Sequence, residues 1–84
     1  MTESPSPTLV DARGHRCPAP TLRLRRALEK TPPGGLVTLL ADDPMARVDV
    51  PHFARQAGFE LVETREEGRA VAFTVRRPVP PAAG

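Results

Sequence analysis

The chain has 84 residues, room for one domain with a modest core. Its single cysteine, Cys17, excludes an internal disulfide and a multi-cysteine zinc site, and no apolar run is long enough to span a bilayer. The net charge is only +2, yet residues 11–30 hold six basic side chains (Arg13, Arg16, Arg23, Arg25, Arg26 and Lys30) against Asp11 and Glu29. The rest of the chain is slightly acidic, so a basic patch surrounds the cysteine. On charge alone this patch reads equally as a solvated helix face.

The first residues, MTESPSPT, have neither the basic region nor the apolar core of a signal peptide. With a lone cysteine, this points to a reducing, cytoplasmic setting without membrane attachment. Residues 1–7 and 78–84 are rich in Pro, Ser and Ala and are expected to be disordered tails around one domain over residues 8–77.

Within that domain the hydrophobic period changes several times. Residues 8–13 predict a short strand. Residues 18–31 predict a helix whose apolar face is Leu24, Ala27 and Leu28, extended backwards by Pro20 or Thr21. Pro32, Pro33, Gly34 and Gly35 end it. Residues 36–41 form a nearly continuous apolar run, as in a strand covered on at least one face. Asp42, Asp43 and Pro44 break that run. Asp49 is then the expected N-cap of a second helix, with Pro51 in its first turn. Val50, Phe53, Ala54 and Ala57 would be its buried stripe and Gly58 its stop. Residues 59–65 and 69–77 predict two strands, joined through Glu66, Glu67 and Gly68, with Val71, Phe73 and Val75 alternating in the second. The order βαβαββ implies an α+β fold: a two-layer sandwich with a four-stranded mixed sheet and both helices on one face.

The stretch Gly14-His15-Arg16-Cys17-Pro18-Ala19-Pro20 holds the candidate chemistry. Proline suits a first helical turn, because its fixed φ fits and its missing N–H has no partner there. Pro18 would open the helix, Pro20 would lie in the same turn, and Cys17 would stand at the N-cap. The positive end of the helix dipole and adjacent guanidinium groups, Arg16 first, favour thiolate over thiol. The thiolate is the nucleophile, and the same field would stabilise a persulfide anion. An inert buried cysteine is the competing interpretation, which His15, Arg16 and two prolines make a poor description of this segment. Neither His15 nor His52 is placed to act as a base toward Cys17, and each is expected to be exposed. Leu22 falls on the polar side of the first helix, near Arg25 and Glu29; it is either an ordinary exposed leucine or an anchor for a docking partner. No metal ligand set is expected.

These residues resemble the TusA-type, or SirA-like, sulfur carrier family. One block is L-V-D-A-R-G-H-R-C-P-A-P, from Leu9 to Pro20. A second is A-D-D-P, from Ala41 to Pro44, followed by D-V-P-H-F, from Asp49 to Phe53. The resemblance covers residues 8–77 and agrees with the predicted element order. It implies that Cys17 accepts sulfane sulfur as a persulfide from a cysteine desulfurase or rhodanese and relays it to an acceptor protein. The routes served by the family are tRNA thiolation, molybdenum cofactor synthesis and sulfur oxidation. The resemblance also implies that Gly14, Pro18 and Pro20 shape the helix start and that Arg16, Leu22, Arg25 and Asp43 contact partners. No cofactor is implied beyond the transient persulfide sulfur on Cys17. The chain departs from the family pattern at His15, where an apolar residue is usual, and it lacks the extra cysteine of some relatives in the second helix.

Two other functions compete: a regulatory or interaction domain that keeps the motif, and a nucleic-acid-binding module. Against the second stands an aromatic content of three Phe and no Tyr or Trp, with Phe53, Phe59 and Phe73 all expected in the core, leaving no stacking platform. Direct nucleic-acid contact is therefore not expected, and a small single-site carrier is expected to be monomeric.

Overall fold

A computed structural model of the chain describes residues 8–16 and 19–79. The elements run β1 (Thr8–Asp11), α1 (Ala19–Glu29), β2 (Leu36–Ala41), α2 (Ala46–Ala57), β3 (Glu60–Glu67) and β4 (Ala70–Arg76). The sheet order is β1-β2-β4-β3. β1 runs parallel to β2, β4 lies antiparallel between β2 and β3, and the sheet is therefore mixed.

One face of this sheet makes the core. Val37, Leu39 and Ala41 of β2 alternate inward and lie directly opposite Val75, Phe73 and Val71 of β4. Leu24 and Leu28 of α1 and Ala46 and Val50 of α2 close over them, all at 0–1% exposure. The same-side pairing of Leu39 with Phe73 puts the largest buried side chain at the centre. Both helices thus share one face, giving the two-layer α+β sandwich that the period changes imply. On the opposite face Thr38 and Thr74 sit across from one another with hydroxyl oxygens 3.1 Å apart.

The turn after α1 is clasped from the other end of the chain. The Arg77 guanidinium donates to the carbonyls of Glu29 at 3.1 Å and Thr31 at 2.8 Å, with a longer contact to Leu28. The Glu29 carbonyl is one that a helix end leaves without an intrahelical partner. Backbone bonds Gly34 N–H to Arg77 O and Arg77 N–H to Gly35 O fasten the same corner.

Several boundaries differ from the sequence expectation. α2 starts at Ala46, three residues before Asp49, so Asp49 is an acidic residue in the first turn and not the cap. The cap residue is Met45, whose carbonyl accepts from the Val48 and Asp49 amides. Pro51 consequently lies inside the helix, where it removes an amide donor. Burial of Ala46, Val50 and Ala54, spaced four apart, offsets that loss, while Ala57 is exposed. β3 continues through Glu67, which pairs with Ala70, so the hairpin turns on Gly68 and Arg69. Gly68 has φ 63°, as the first central residue of a two-residue hairpin turn requires. The first helix ends at Glu29 instead of Thr31, its expected start at Pro18 lies outside the described residues, and the first strand ends at Asp11 instead of Arg13. Of the predicted tails at 1–7 and 78–84, residues 1–7 and 80–84 lie outside the described residues, and Pro78 and Val79 are exposed.

Candidate functional site

The chain ends of β1 and β2 lie side by side because the two strands are parallel, with Asp11 opposite Leu40. The segment after β1 (residues 12–16) and the segment after β2 (residues 42–45) therefore leave the sheet at the same edge. The cysteine stretch is the first of these and the Asp-Asp-Pro stretch is the second.

The first segment begins with Ala12, fully buried, whose N–H donates to Leu40 O at 2.8 Å. Residues 13–16 are all exposed. A turn closes over them, with His15 N–H donating to Ala12 O at 3.2 Å. Gly14 has φ 85°, a left-handed conformation that disfavours side chains, although a Cβ there would meet open space. Its N–H points to the second segment and donates to Asp42 Oδ1 at 2.9 Å. On the far side of the cysteine, Ala19 N–H donates to Arg16 O at 3.0 Å. Cys17 and Pro18 themselves lie outside the described residues, and so does the N-cap position expected for Cys17.

Asp11 anchors the start of this loop. Its carboxylate accepts from Arg13 Nε at 2.9 Å, from Arg13 Nη2 at 2.8 Å and from the Arg13 backbone N–H at 3.1 Å. The side-chain bond from Arg13, then the backbone bond, hold the Asp11 carboxyl down at about 2 from an ordinary 3.8. The same bond raises the Arg13 guanidinium, with Asp42 contributing a further attraction. Arg23 reaches from α1 to donate to the Asp11 backbone carbonyl at 3.1 Å.

The two consecutive aspartates divide the work of the second segment. Asp42 holds the cysteine loop through Gly14. Asp43 shapes the start of α2: its carboxylate accepts from Met45 N–H at 3.2 Å and its carbonyl from Ala46 N–H at 2.9 Å. Sequence reasoning singled out Asp43 and missed Asp42. Nothing local to Asp42 reveals a partner 28 residues away; only the parallel pairing of β1 and β2 makes it a neighbour of Gly14.

The remaining site residues spread along α1. Pro20 is fully buried in the first turn, where its missing N–H leaves no intrahelical bond unmade. Leu22 is 59% exposed. Arg25 faces Glu29 one turn on, at 3.4 Å. Leu22, Arg23, Arg26 and Lys30 line an open groove of about 660 Å³ between α1 and β1, with Val10 and Ala27 beneath. Arg16 is exposed beside the cysteine, and His15 and His52 are both exposed. Phe73 is buried and Phe53 and Phe59 pack on the core with ring centroids 5.7 Å apart, so no described aromatic ring offers a stacking surface. Among the described residues no cluster of His, Cys, Asp or Glu could hold a metal ion, and no helix is long and apolar enough to cross a membrane.

A two-layer sandwich with a cysteine between a parallel strand end and a helix start defines a SirA-like architecture. A solved SirA-like protein from Desulfitobacterium hafniense superposes with a TM-score of 0.74 at 26% identity, over 86% of this chain and 99% of that one. The profile of the family described as sulfurtransferase TusA matches residues 8–77, and the chain belongs to that family. Among curated proteins it is 37% identical over 73 residues to the sulfur carrier protein TusA of Pseudomonas paraeruginosa, covering 87% of this chain and 92% of that protein. It is 38% identical over 69 residues to that of Pseudomonas aeruginosa strain LESB58, covering 82% and 87%.

Proposed function

We propose that this chain is a sulfur carrier, with Cys17 as the atom-bearing residue. The observation that carries this reading is the family match across residues 8–77, which includes Cys17 and Pro18, the two residues that precede Ala19 of α1 in the sequence. In the loading step the Cys17 thiolate attacks the outer sulfur of a donor persulfide. The new S–S bond forms on Cys17, the donor's S–S bond breaks, and the donor leaves as a thiolate. In the unloading step an acceptor nucleophile takes the outer sulfur and Cys17 is released as thiolate. Sulfur is carried at one oxidation level throughout, so no external oxidant or reductant enters and no cofactor is needed.

The donor is a cysteine desulfurase or rhodanese, and the acceptor is a protein of a tRNA thiolation, molybdenum cofactor or sulfur oxidation route. Arg16, Leu22, Arg25 and Asp43 form the contact surface for these partners, with complementary charge steering the encounter. Gly14, Pro18 and Pro20 shape the backbone on either side of the thiol. The carrier acts as a monomer in the cytoplasm.

Intact-mass spectrometry tests this directly. Incubation with a cysteine desulfurase and cysteine, or with a rhodanese and thiosulfate, should add one sulfur atom that reductant removes. Cys17→Ser should take up none. Absence of any adduct from both donors, with Cys17 slow toward alkylating reagents, would replace the carrier by an interaction domain.

A further inference from the structure

We infer that Asp42 is a positioning residue for the loop that bears Cys17, acting through the Gly14 amide; the inference rests on Cys17 being the reacting group. Residues 13–16 are exposed, so burial of side chains does not fix their backbone. The Ala12–His15 turn and the Arg16–Ala19 bond hold the loop to itself and to α1. Arg13 ties it back to Asp11, the residue at the end of the preceding strand. Among the described residues, the side-chain contact that fixes it against the neighbouring strand is Gly14 N–H to Asp42 Oδ1 at 2.9 Å.

Asp42 is well mounted for this task. It directly follows Ala41, which is 1% exposed and paired with Val71 in the middle of the sheet. The next residue, Asp43, is tied to the start of α2 by two bonds. Asp42 therefore stands between two fixed points, and its acceptor oxygen is held where the left-handed Gly14 presents its amide. A loop clamped in this way keeps one orientation of the segment entering Cys17. Transfer between two proteins demands aligned sulfur atoms, and small misplacements of reacting groups cost rate steeply.

The role is one of hydrogen-bond acceptance, and this separates it from a charge effect. An asparagine at 42 keeps an acceptor oxygen and loses the charge, whereas an alanine loses both. The test compares the full-length wild type, Asp42→Asn and Asp42→Ala. It measures the initial rate of persulfide transfer to Cys17 from a thiosulfate-loaded rhodanese, and hydrogen exchange at the Gly14 amide. Exchange at Leu39 and Phe73 serves as the check that the core is intact. Asp42→Ala should expose the Gly14 amide and slow transfer about tenfold, while Asp42→Asn should stay close to wild type in both. Wild-type transfer in Asp42→Ala overturns the inference, and so does an Asp42→Asn as slow as Asp42→Ala, which would assign the effect to charge. Should the wild type take no sulfur, the carrier reading fails, and the same three-way comparison of iodoacetamide alkylation at Cys17 decides the role of Asp42. Equal alkylation rates in all three would then sink it.

Discussion

The centre of the sandwich and the loop edge are held by different forces. At the centre, Leu24, Leu28, Val37, Leu39, Val50 and Val75 are all at 0% exposure, and removal of apolar surface from water supplies the stabilisation. At the edge, residues 13–16 are exposed and their geometry comes from directional bonds to Asp11 and Asp42. The lesson is a separation of duties. Burial makes the fold stable without setting the position of the loop. Hydrogen bonds worth individually little in free energy set that position.

The largest effect should come from the centre. Phe73→Ala should cost about 3–5 kcal/mol, read as a lower urea midpoint, because it empties the middle of the core. Below that midpoint the rate of Cys17 alkylation should match wild type; a large change in the folded protein would break the separation. Arg77→Ala comes next. It strips the donors from the carbonyls after α1, and hydrogen bonds to a charged group put the cost at about 1.5–3 kcal/mol. That corner is at the far end of α1, so sulfur loading should again be unaffected.

Gly14→Ala should do the reverse. With φ at 85° and open space where a Cβ would go, the cost is backbone strain alone, about 1–2 kcal/mol. The loss in transfer rate should nevertheless exceed that of Phe73→Ala measured in the folded state. The smallest effect concerns acid. The Asp11 carboxyl is depressed in the folded chain to about 2, chiefly by the Arg13 side-chain bond. The stability it contributes is present above the ordinary value of 3.8 and is lost as pH falls through about 2. Because the pair is exposed, the contribution is small and screened by salt. The difference in urea midpoint between wild type and Asp11→Asn should narrow across that window and disappear below it; a gap that widened with acid would contradict the bond to Arg13.

Much of the centre is legible in the residue order. Val71, Phe73 and Val75 alternate, the apolar run at 36–41 coincides with β2, and Leu24 and Leu28 fall on the buried stripe of α1. The misreadings lie where local chemistry offers a plausible but unused signal. Asp49 has the composition of a cap, yet the helix begins three residues earlier, where Asp43 supplies bonds to Met45 and Ala46. Glu66 and Glu67 look like a turn, but as part of an edge strand they need no apolar alternation. Their charges are matched by Arg47 and Arg65. The candidate site divides in the same way. The Cys-Pro-Ala-Pro stretch announces itself, Pro20 is buried as its place in a first turn suggests, and Leu22 is exposed. Asp42 does not, because its importance is a contact made across the sheet by topology.

The bond from Arg23 to the Asp11 carbonyl has one more consequence. Among the described residues β1 pairs with β2 on one side only, which makes it an edge strand with outward-facing backbone groups. Arg23 occupies one of the few acceptors that this four-residue edge offers, and it does so with a fixed positive charge. The edge thereby resists both fibrillar stacking and the zipping-on of another chain. A molecule guarded in this way can meet others through its side chains and come apart again, without the long residence that a shared sheet would impose.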